Sequence, residues 1–550
     1  MGHGLTLRPT SRTAPSRGPA RAGLAPRGRK PRRRGADNPG AVPCVYRQPR
    51  RSGPPMSKPS REAGVASLPI ATGIAIALGV FVCQVPFLSP GFGTDSDTWK
   101  FASALREMAE TGRYTASRMP GYPLMEIVSL PSYALGPWAQ NALSALASAA
   151  CAWLAARLFA RHGLRDAWLA GVAFAFVPAA FIAGSSSIDY LWAIAFALAA
   201  WLDTMQGRPV RAGLWLGLAL GTRLTSVLFG IPLAILLWQA PGGARAWRLV
   251  QAFGVAALVG AAWYVPVFAR YGWEMFTYSE ITGGQSSALR LLPGLSRSGV
   301  GEVPLPLIAG QATVVLLGVL GCLAIGLALF SLVQQRPDAP RAARLERPAA
   351  WAIATLVALE LLLYARLPHD EGYLLPVVPF VLLALASRLT VPRFRAVCAA
   401  LILSPFLLGV DVEPPKKGPT PAEPSPFAVR VPISGQTIVV EPLRGPAMRD
   451  HAKRLEQRRL AASLEAWWPR RPERFLLAAG NSMPMLYHLF PQAPRARPFV
   501  RTLDDRQRAE ATASGVALFA LPDAMRRMRV MGGGDAVEGI TLLAGAGQSP

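Results

Sequence analysis

The sequence predicts an α-helical polytopic membrane protein with a small C-terminal α/β soluble domain. Three observations predict this fold class. The chain of 550 residues is 51% hydrophobic with a mean hydropathy of +0.28, and only 16% of its residues are charged, whereas soluble domains contain about 25%. Several apolar runs approach or exceed the roughly 20 residues that a helix needs to cross a bilayer. After residue 412 the composition becomes charged and proline-rich and then follows a soluble pattern.

Residues 1–65 are predicted to be a disordered, basic cytoplasmic tail, because they lack apolar periodicity and cannot bury enough surface to fold. Lys and Arg outnumber Asp and Glu by 58 to 32 in the whole chain, and residues 1–66 alone contain 15 Lys and Arg against Asp37 and Glu62. About half of the excess charge therefore belongs to the tail, which argues against a nucleic-acid partner. Whether translation starts at Met1 or at Met56 stays open.

Residues 66–411 are predicted to form the transmembrane region, with about 10–12 helices. The basic tail places the start of the first span in the cytoplasm by the positive-inside rule, so the loop over 89–120 lies outside. Residues 121–136 are short and contain Glu126 and Pro131, so we expect an interfacial or re-entrant element there. The apolar spans lie near residues 66–88, 138–160, 167–183, 188–205, 212–239, 248–269, 304–333, 350–366, 372–389 and 395–411.

This topology brings the polar residues of the transmembrane region to one face. Asp95, Asp97, Asp189, the loop over 270–303 and the segment His369-Asp370-Glu371 all fall outside. A channel or transporter would instead show polar residues through the midplane. The basic connections fall on the inner side if 212–239 folds back as two short helices.

Residues 412–550 are predicted to form an extracytoplasmic α/β domain. An amphipathic helix is expected over 446–469, and strands over 474–480 and 515–521. No nucleotide-binding fingerprint follows a strand in this segment. The five cysteines of the chain form no CxxC motif and no Cys/His cluster, so neither a thiolate zinc site nor a disulfide framework is indicated.

The first candidate site is GFGTDSDTW over 91–99, directly outside the first span. Asp95 and Asp97 stand two residues apart, and such carboxylates can hold a divalent metal ion (Mg²⁺ or Mn²⁺), or one of them can act as a general base. The same residues are also suited to capping the N-terminus of the amphipathic helix that follows. The spacing alone does not decide between these roles.

Two further segments contain arginines at the predicted membrane edge. Arg118 precedes a Pro-Gly-Tyr-Pro turn, and Tyr122 is the tyrosine of that turn. An arginine suits phosphate oxygens, and a tyrosine can stack on a sugar or an isoprenoid. Asp189 stands at an outer helix end, and Arg223 interrupts a long apolar stretch, where a charge is usually paired or functional. Arg223 approaches Asp189 if the chain reverses near Gly221. The alternatives are an interfacial Arg/Tyr belt and a structural Asp–Arg pair.

The fourth segment is RLPHDEGYLLPVVPFVLL over 366–383, which places His369, Glu371 and Tyr373 in an outer turn. A histidine beside two carboxylates could ligate a metal ion, but sequential neighbours rarely all face one ion. A solvated turn is the simpler interpretation.

In this order the motifs resemble the GT-C superfamily of polytopic glycosyltransferases, which includes the protein O-mannosyltransferases and the aminoarabinose transferase of lipid A. The resemblance covers roughly residues 66–411. Its elements are the acidic outer loop, the Gly-x-Tyr element at 112–114, the Pro-Gly-Tyr-Pro turn at 120–123, Asp189, the LGLALGTRLTS stretch at 216–226 and the YLLPVVPF segment at 373–380.

The resemblance implies transfer of a sugar from a polyprenyl-phosphate carrier to a glycan, lipid or protein acceptor. Asp95 or Asp97 would be the base, and Arg118 and Arg223 would hold the leaving phosphate. Asp189 would orient the site or bind the acceptor, and Tyr122, His369, Glu371 and Tyr373 complete the candidate substrate-binding set. Many relatives have an arginine before the tyrosine of the late segment, where this chain has Gly372, and a lysine where it has Arg223.

The implied location is the bacterial inner membrane, as a multi-pass protein with its active site on the extracytoplasmic face. No cofactor is required by the residues, and a divalent metal at Asp95 and Asp97 stays open. The main alternative function is a lipid-linked glycan flippase or an exporter of envelope polymer. Such a protein would be expected to show internal repeats and charges along a midplane path, and the chain shows no convincing repeat.

Overall fold

A long helical part comes first and a segment of mixed helices and strands follows it, as the hydropathy pattern predicts. The computed structural model describes residues 68–240, 243–277, 305–334, 340–366, 371–413, 427–433, 436–491, 498–528, 535–537 and 540–544. The predicted tail over 1–65, His369 with Asp370, and most of the loop over 270–303 lie outside the described residues.

Fifteen α-helices precede the first strand in this part of the chain. They are α1 (Ile70–Gln84), α2 (Ser96–Thr111), α3 (Pro123–Ser129), α4 (Pro137–Arg161), α5 (Ala167–Ala175), α6 (Pro178–Gly184), α7 (Tyr190–Met205), α8 (Pro209–Thr222), α9 (Gly230–Gln239), α10 (Arg245–Tyr271), α11 (Glu274–Thr277), α12 (Leu305–Val333), α13 (Arg347–Arg366), α14 (Val378–Ala386) and α15 (Val391–Leu407).

Five stretches of the described chain are long and apolar enough to cross a membrane, and a bent pair of helices brings the number to six. They are Ile70–Phe87, Pro137–Arg161, Arg245–Tyr271, Ala312–Val333 and Arg347–Ala365, with α5 and α6 as the bent pair. The remaining apolar segments are shorter helices or helices with a break. The structure is thus an α-helical membrane protein in which several predicted spans are interrupted.

The breaks have local causes. The bend of 70° between α5 and α6 coincides with Pro178, which has no backbone N–H and starts a new helix at its first position. The predicted span over 212–239 is divided at Arg223, whose backbone is extended, and a 3-10 segment (Leu224–Phe229) separates α8 from α9. Residues 121–136 form α3 and a 3-10 segment (Leu130–Leu135), and this short stretch is not one of the candidate spans.

The helical core is built largely from small side chains. Helix α4 buries many alanines, which let neighbouring helices approach closely, as is typical of helix packing in membranes. Large apolar side chains point outward at many positions, for example Ile70, Leu258 and Val333, each more than two-thirds exposed. An apolar surface of this kind is suited to lipid contact.

In the C-terminal segment, residues 408–544, the described residues form two small sheets and four helices. The first sheet is antiparallel with the order β1-β3-β2, from β1 (Leu408–Glu413), β2 (Val429–Ile433) and β3 (Gln436–Pro442). The second has the order β5-β4-β6-β8-β7, from β4 (Phe475–Ala478), β5 (Phe499–Val500), β6 (Ala517–Ala520), β7 (Asp535–Val537) and β8 (Ile540–Ala544). The helices are α16 (Pro446–Trp467), α17 (Met483–Leu489), α18 (Asp505–Ala513) and α19 (Pro522–Met528). The helix expected over 446–469 and both expected strands are therefore present.

The C-terminal segment packs against helix α2. Trp99 and Ala102 of α2 share a buried cluster with Leu464, Trp467 and other residues of the segment. Arg106 Nη1 donates a hydrogen bond to the carbonyl oxygen of His488 at 2.7 Å. The start of α2, with Asp95 and Asp97, thereby lies between the transmembrane helices and the C-terminal segment.

Candidate functional site

Asp95 caps the N-terminus of α2. Its Oδ1 accepts a hydrogen bond from the backbone N–H of Asp97 at 2.8 Å, and its backbone oxygen accepts one from the Thr98 hydroxyl at 2.7 Å. The Asp95 side chain is nevertheless exposed and lines a cavity. Desolvation by the surrounding protein and the neighbouring charge of Asp97 raise the pKa of the Asp95 carboxyl. The Asp95 side chain therefore both caps the helix and lines the cavity.

Asp97 forms ion pairs with two basic side chains. Its Oδ1 accepts from Lys100 Nζ at 2.8 Å, and its Oδ2 accepts from Arg118 Nη1 at 2.5 Å. Burial alone would raise the pKa of this carboxyl, but the charges of Arg118 and Lys100 outweigh it, and the pKa is lowered to about 2. Asp97 is therefore an anionic anchor for Arg118.

Asp189 joins two arginines from distant parts of the chain. Arg118 Nη2 donates to Asp189 Oδ1 at 2.7 Å, and Arg223 Nη1 donates to Asp189 Oδ2 at 2.7 Å. Asp189 is 1% exposed and Arg223 is 6% exposed. A buried charge is costly unless it is paired and hydrogen-bonded, so this triad fixes both guanidinium groups in one geometry.

The triad retains unused donor capacity. The buried Nε of Arg118 has no hydrogen-bond partner among the described residues. Buried polar groups are hydrogen-bonded in the large majority of cases. The Nε–H of Arg118 is therefore available to a further acceptor beside Arg223.

Aromatic rings surround the guanidinium groups. The Cζ atom of Arg118 lies 4.2 Å from the centre of the Tyr122 ring. The Cζ atom of Arg223 lies 4.0 Å from the ring centre of Tyr190 and 4.8 Å from that of Tyr373. Such contacts favour a cation and keep water from it. Tyr190 also explains Gly372, since a Cβ atom there would lie 2.3 Å from Cζ of Tyr190.

A buried carboxylate holds the turn that presents Arg118. Glu126 is fully buried, and its Oε1 accepts hydrogen bonds from the backbone N–H and the hydroxyl of Ser117, at 2.7 Å and 2.6 Å. Its Oε2 accepts from the Tyr122 backbone N–H at 3.1 Å and from the Tyr114 hydroxyl. Four donors from one turn thus converge on one carboxylate of α3, which fixes Arg118 and Tyr122 relative to each other.

A cavity of about 430 Å³ opens beside this site. Asp95 and Glu371 line it from the transmembrane region, and Arg449, Asp450 and Lys453 line it from helix α16. The C-terminal segment therefore forms one wall of the cavity, and charged side chains of both signs face the space next to Asp95.

Helix α16 also connects the two loops of the site. The Thr94 hydroxyl donates to Asp450 Oδ1 at 2.6 Å, and Asp450 forms an ion pair with Arg454 at 2.9 Å. Arg454 is 1% exposed, and its Nη1 donates to the Ser185 carbonyl oxygen at 2.6 Å. Thr94 directly precedes Asp95, and Ser185 begins the turn that ends at Asp189. We call Thr94, Asp450, Arg454 and Ser185 the α16 clamp.

The described residues do not fit a metal site. No group of three or more His, Cys, Asp or Glu side chains in this part of the chain could hold an ion. One oxygen of Asp95 is used as a helix cap, and both oxygens of Asp97 bind cations. The sequence left a metal at Asp95 and Asp97 open, and the neighbouring cations argue against one because they neutralise the charge that a metal would require.

The structure brings most of the candidate residues together. Asp97, Arg118, Asp189 and Arg223 form one connected network of ion pairs. The other described candidates border that network or the cavity, namely Asp95, Tyr122, Glu371 and Tyr373. The role of each candidate in binding or catalysis stays a prediction.

Sequence reasoning missed several residues of the site. Glu360 is 3% exposed in the middle of α13 and shares a cavity of about 20 Å³ with Arg223. An ionisable residue within an apolar span is a signal that could have found it. Glu126 was noted only as a charge that argues against a span, while Tyr190 and the α16 clamp give no sequence signal, because their roles depend on contacts across the chain.

Of the comparisons with known proteins, the one with solved structures found similar chains. No protein-family model and no curated protein matches the chain. The crystal structure of ArnT from Cupriavidus metallidurans bound to undecaprenyl phosphate is 14% identical, with a TM-score of 0.48, over 86% of this chain and 97% of that chain. The structure of the same protein in the apo state is 15% identical, with a TM-score of 0.45 and the same coverage.

ArnT is a lipid A aminoarabinose transferase of GT-C type, one of the protein types that the sequence resembles. At this identity and TM-score, the likeness assigns neither a substrate nor a residue role to this chain.

Proposed function

We propose that the protein is a GT-C-type membrane glycosyltransferase, which moves a sugar from a polyprenyl-phosphate carrier to an acceptor hydroxyl on the outer face of a bacterial inner membrane. The observation that carries this proposal is the ion-paired triad of Arg118, Asp189 and Arg223, with an unpartnered Nε on Arg118. A fixed pair of guanidinium groups is suited to a phosphate whose charge grows as it leaves.

In the proposed reaction, Arg118 and Arg223 hold the phosphate of the carrier. The acceptor oxygen attacks the anomeric carbon, and the bond between that carbon and the phosphate oxygen breaks. The electron pair of the broken bond stays on the phosphate, which leaves with the polyprenyl chain. The acceptor proton passes to a carboxylate. A single displacement of this kind inverts the anomeric centre, and it needs one base and no nucleophilic carboxylate.

We assign the role of base to Asp95. Its side chain is exposed to the cavity, and its raised pKa makes it a better proton acceptor than Asp97. Asp97 is bound by Arg118 and Lys100, and its pKa of about 2 makes it a weak base. Asp97 and Asp189 then act as positioning residues for Arg118.

The cavity of about 430 Å³ is the proposed place of the acceptor. It adjoins Asp95, and Arg449 and Lys453 of helix α16 line its far wall. Basic side chains there favour an acceptor that bears phosphate or carboxylate groups close to its reacting hydroxyl. Tyr122 and Tyr373, which stack on the arginines, supply ring faces for the sugar or the first isoprene unit.

A transfer assay tests the proposal. Membranes containing the wild type, Asp95→Asn or Glu107→Gln receive a panel of radiolabelled polyprenyl-phosphate sugars, with undecaprenyl phosphate as the first carrier. Glu107 is the matched control because it is an exposed carboxylate of the same helix. We expect wild-type transfer to fall on the order of a hundredfold or more in Asp95→Asn, and to persist in Glu107→Gln at equal expression.

The alternative outcomes separate the functions. Equal transfer by Asp95→Asn and the wild type would contradict the assignment of the base. Transbilayer movement of a lipid-linked glycan by the wild type, without transfer from any donor in the panel, would contradict the transferase proposal and support the flippase alternative.

A further inference from the structure

A second cavity lies at the opposite end of the helices that carry the site. It has a volume of about 330 Å³ and lies between α4, α7 and α8. Helix α7 starts directly after Asp189 and runs to Met205, so Asp203, which lines this cavity, lies roughly 20 Å from Asp189 along the helix axis. Nothing in the proposed reaction uses this cavity.

The lining of the cavity is mostly apolar, but its rim is basic. Leu154, Ala195, Phe196 and Leu202 belong to its apolar wall. The charged residues around it are contributed by three helices and a connecting turn, and they are Arg157, Arg208, Arg211 and Asp203. Arg161, one helical turn beyond Arg157, lies close enough to Arg157 and Arg208 for their charges to repel. Four guanidinium groups therefore gather around one carboxylate.

Asp203 holds parts of this rim in place. It is 4% exposed, and its Oδ2 accepts a hydrogen bond from Trp215 Nε1 at 2.9 Å. Arg211 Nε lies 3.2 Å from the same oxygen, and Arg208 Nη1 lies 3.7 Å from Oδ1. The two arginines remain half-exposed, so each can direct further N–H groups toward a second anion. Together with Arg157 and Arg161 they leave an excess of positive charge at the rim.

Two tryptophans indicate the level of the rim relative to the lipid headgroups. Trp153 and Trp215 line the cavity, and Trp215 stacks on Phe196 at 6.1 Å between ring centres. Tryptophan is enriched at the level of lipid headgroups, where one side of the ring is apolar and the other is wet. The basic rim and the apolar wall thus meet at the level where a phospholipid has its phosphate and the start of its acyl chains.

Arginines at a helix end also serve as topology signals, and this function needs no cavity. Here, however, the charges border an open cavity with a mostly apolar lining. Basic pockets between transmembrane helices are known to bind the headgroups of anionic lipids. We propose that this cavity binds one anionic phospholipid, with an acyl chain against the apolar wall and the phosphate among Arg157, Arg208 and Arg211.

Native mass spectrometry of the purified full-length chain tests this proposal. The chain is incubated in detergent with an equimolar mixture of phosphatidylglycerol and phosphatidylcholine. We expect a retained phosphatidylglycerol adduct in the wild type, and a loss of affinity of roughly fivefold per arginine removed in the double variant Arg208→Gln/Arg211→Gln. The control is Arg165→Gln, an exposed arginine of the loop between α4 and α5, which should retain the lipid as the wild type does.

A second variant tests the apolar part of the site. Ala199→Trp fills the cavity from α7 and leaves the arginines in place, so it should also lose the lipid while its melting temperature stays close to that of the wild type. Equal retention of both lipids, an equal loss in Arg165→Gln, or unchanged binding in Ala199→Trp would overturn the proposal. Displacement of the lipid by millimolar inorganic phosphate would likewise assign the rim to free phosphate and overturn the lipid assignment.

Discussion

At the scale of single residues, the site depends on carboxylates that already accept hydrogen bonds from other protein groups. Asp97, Glu126 and Asp189 each accept hydrogen bonds from several donors. Of Asp95 and Asp97, it is Asp95 that lines the cavity. The two residues of this pair therefore have different surroundings. Asp95 caps a helix and still faces the cavity, while Asp97 fixes an arginine.

The lowered pKa of Asp97 makes its contribution to stability depend on pH. The pKa is about 2 in the folded chain against an ordinary value of 3.8, so the ionised form favours folding. The contribution is complete above pH 3.8 and is lost as the pH falls through about 2. We expect Asp97→Asn to melt below the wild type at neutral pH, with a gap that shrinks between pH 4 and pH 2.

Thermal melts of the purified chain across this pH range measure the gap. Glu107→Gln, an exposed carboxylate on the same helix, should melt with the wild type at each pH. A gap between Asp97→Asn and the wild type that stays constant down to pH 2 would show that the ion pairs of Asp97 do not stabilise the fold.

Glu126→Gln should destabilise the turn around Arg118. The backbone N–H of Ser117 points at one oxygen of Glu126, and that of Tyr122 points at the other. A glutamine must place its NH₂ group against one of these donors, which leaves a buried N–H without an acceptor at a cost of about 1–3 kcal/mol. We expect a lower melting temperature and weaker binding of the carrier. Unchanged stability and binding would mean that the turn is fixed by other contacts.

At the scale of elements, the site depends on interruptions of the helices. Helix α8 ends where Arg223 adopts an extended backbone, and this break lets its side chain reach Asp189. The sequence indicated the break, because a charge within an apolar stretch argues against a continuous span. The bend between α5 and α6 could be expected from Pro178. The contribution of α16 could not, because an amphipathic helix pattern does not state which side chains will be buried against a distant loop.

The α16 clamp predicts a separable effect on the acceptor. Arg454 connects Asp450 and Thr94 on the side of Asp95 with Ser185 on the side of Asp189, but it does not belong to the proposed phosphate site. We expect Arg454→Met to lower kcat for transfer and to leave the affinity for the carrier close to wild type. Since truncating one partner of a buried ion pair costs about 3–5 kcal/mol, the variant should also melt earlier.

A merely structural role of the clamp would give a different pattern. In that case Arg454→Met would lower carrier binding and transfer in proportion to the folded fraction. Thr94→Val removes one hydrogen bond of the clamp without removing a charge, so it serves as the milder variant and should change kcat in the same direction.

At the scale of the whole molecule, two cavities lie at opposite ends of one helical bundle. The first combines carboxylates, arginines and tyrosines with a wall from the C-terminal segment, and the second combines arginines with tryptophans and an apolar wall. The sequence predicted the membrane fold and the asymmetric distribution of polar residues from hydropathy and charge alone. It did not predict the interrupted helices in detail or the second cavity, because both depend on which helices pack together.

The central claim is that Arg118 and Arg223 together hold the phosphate of a lipid carrier. The most direct measurement is the binding of radiolabelled polyprenyl phosphate to the purified wild type and to Arg223→Lys, with the uncharged polyprenol as the competing ligand. Lysine keeps the charge but loses the planar fork that bridges Asp189 and an oxyanion. The account predicts that the wild type prefers the phosphate over the alcohol by tenfold or more, and that this preference falls in Arg223→Lys. Equal binding of the two lipids by the wild type would contradict it.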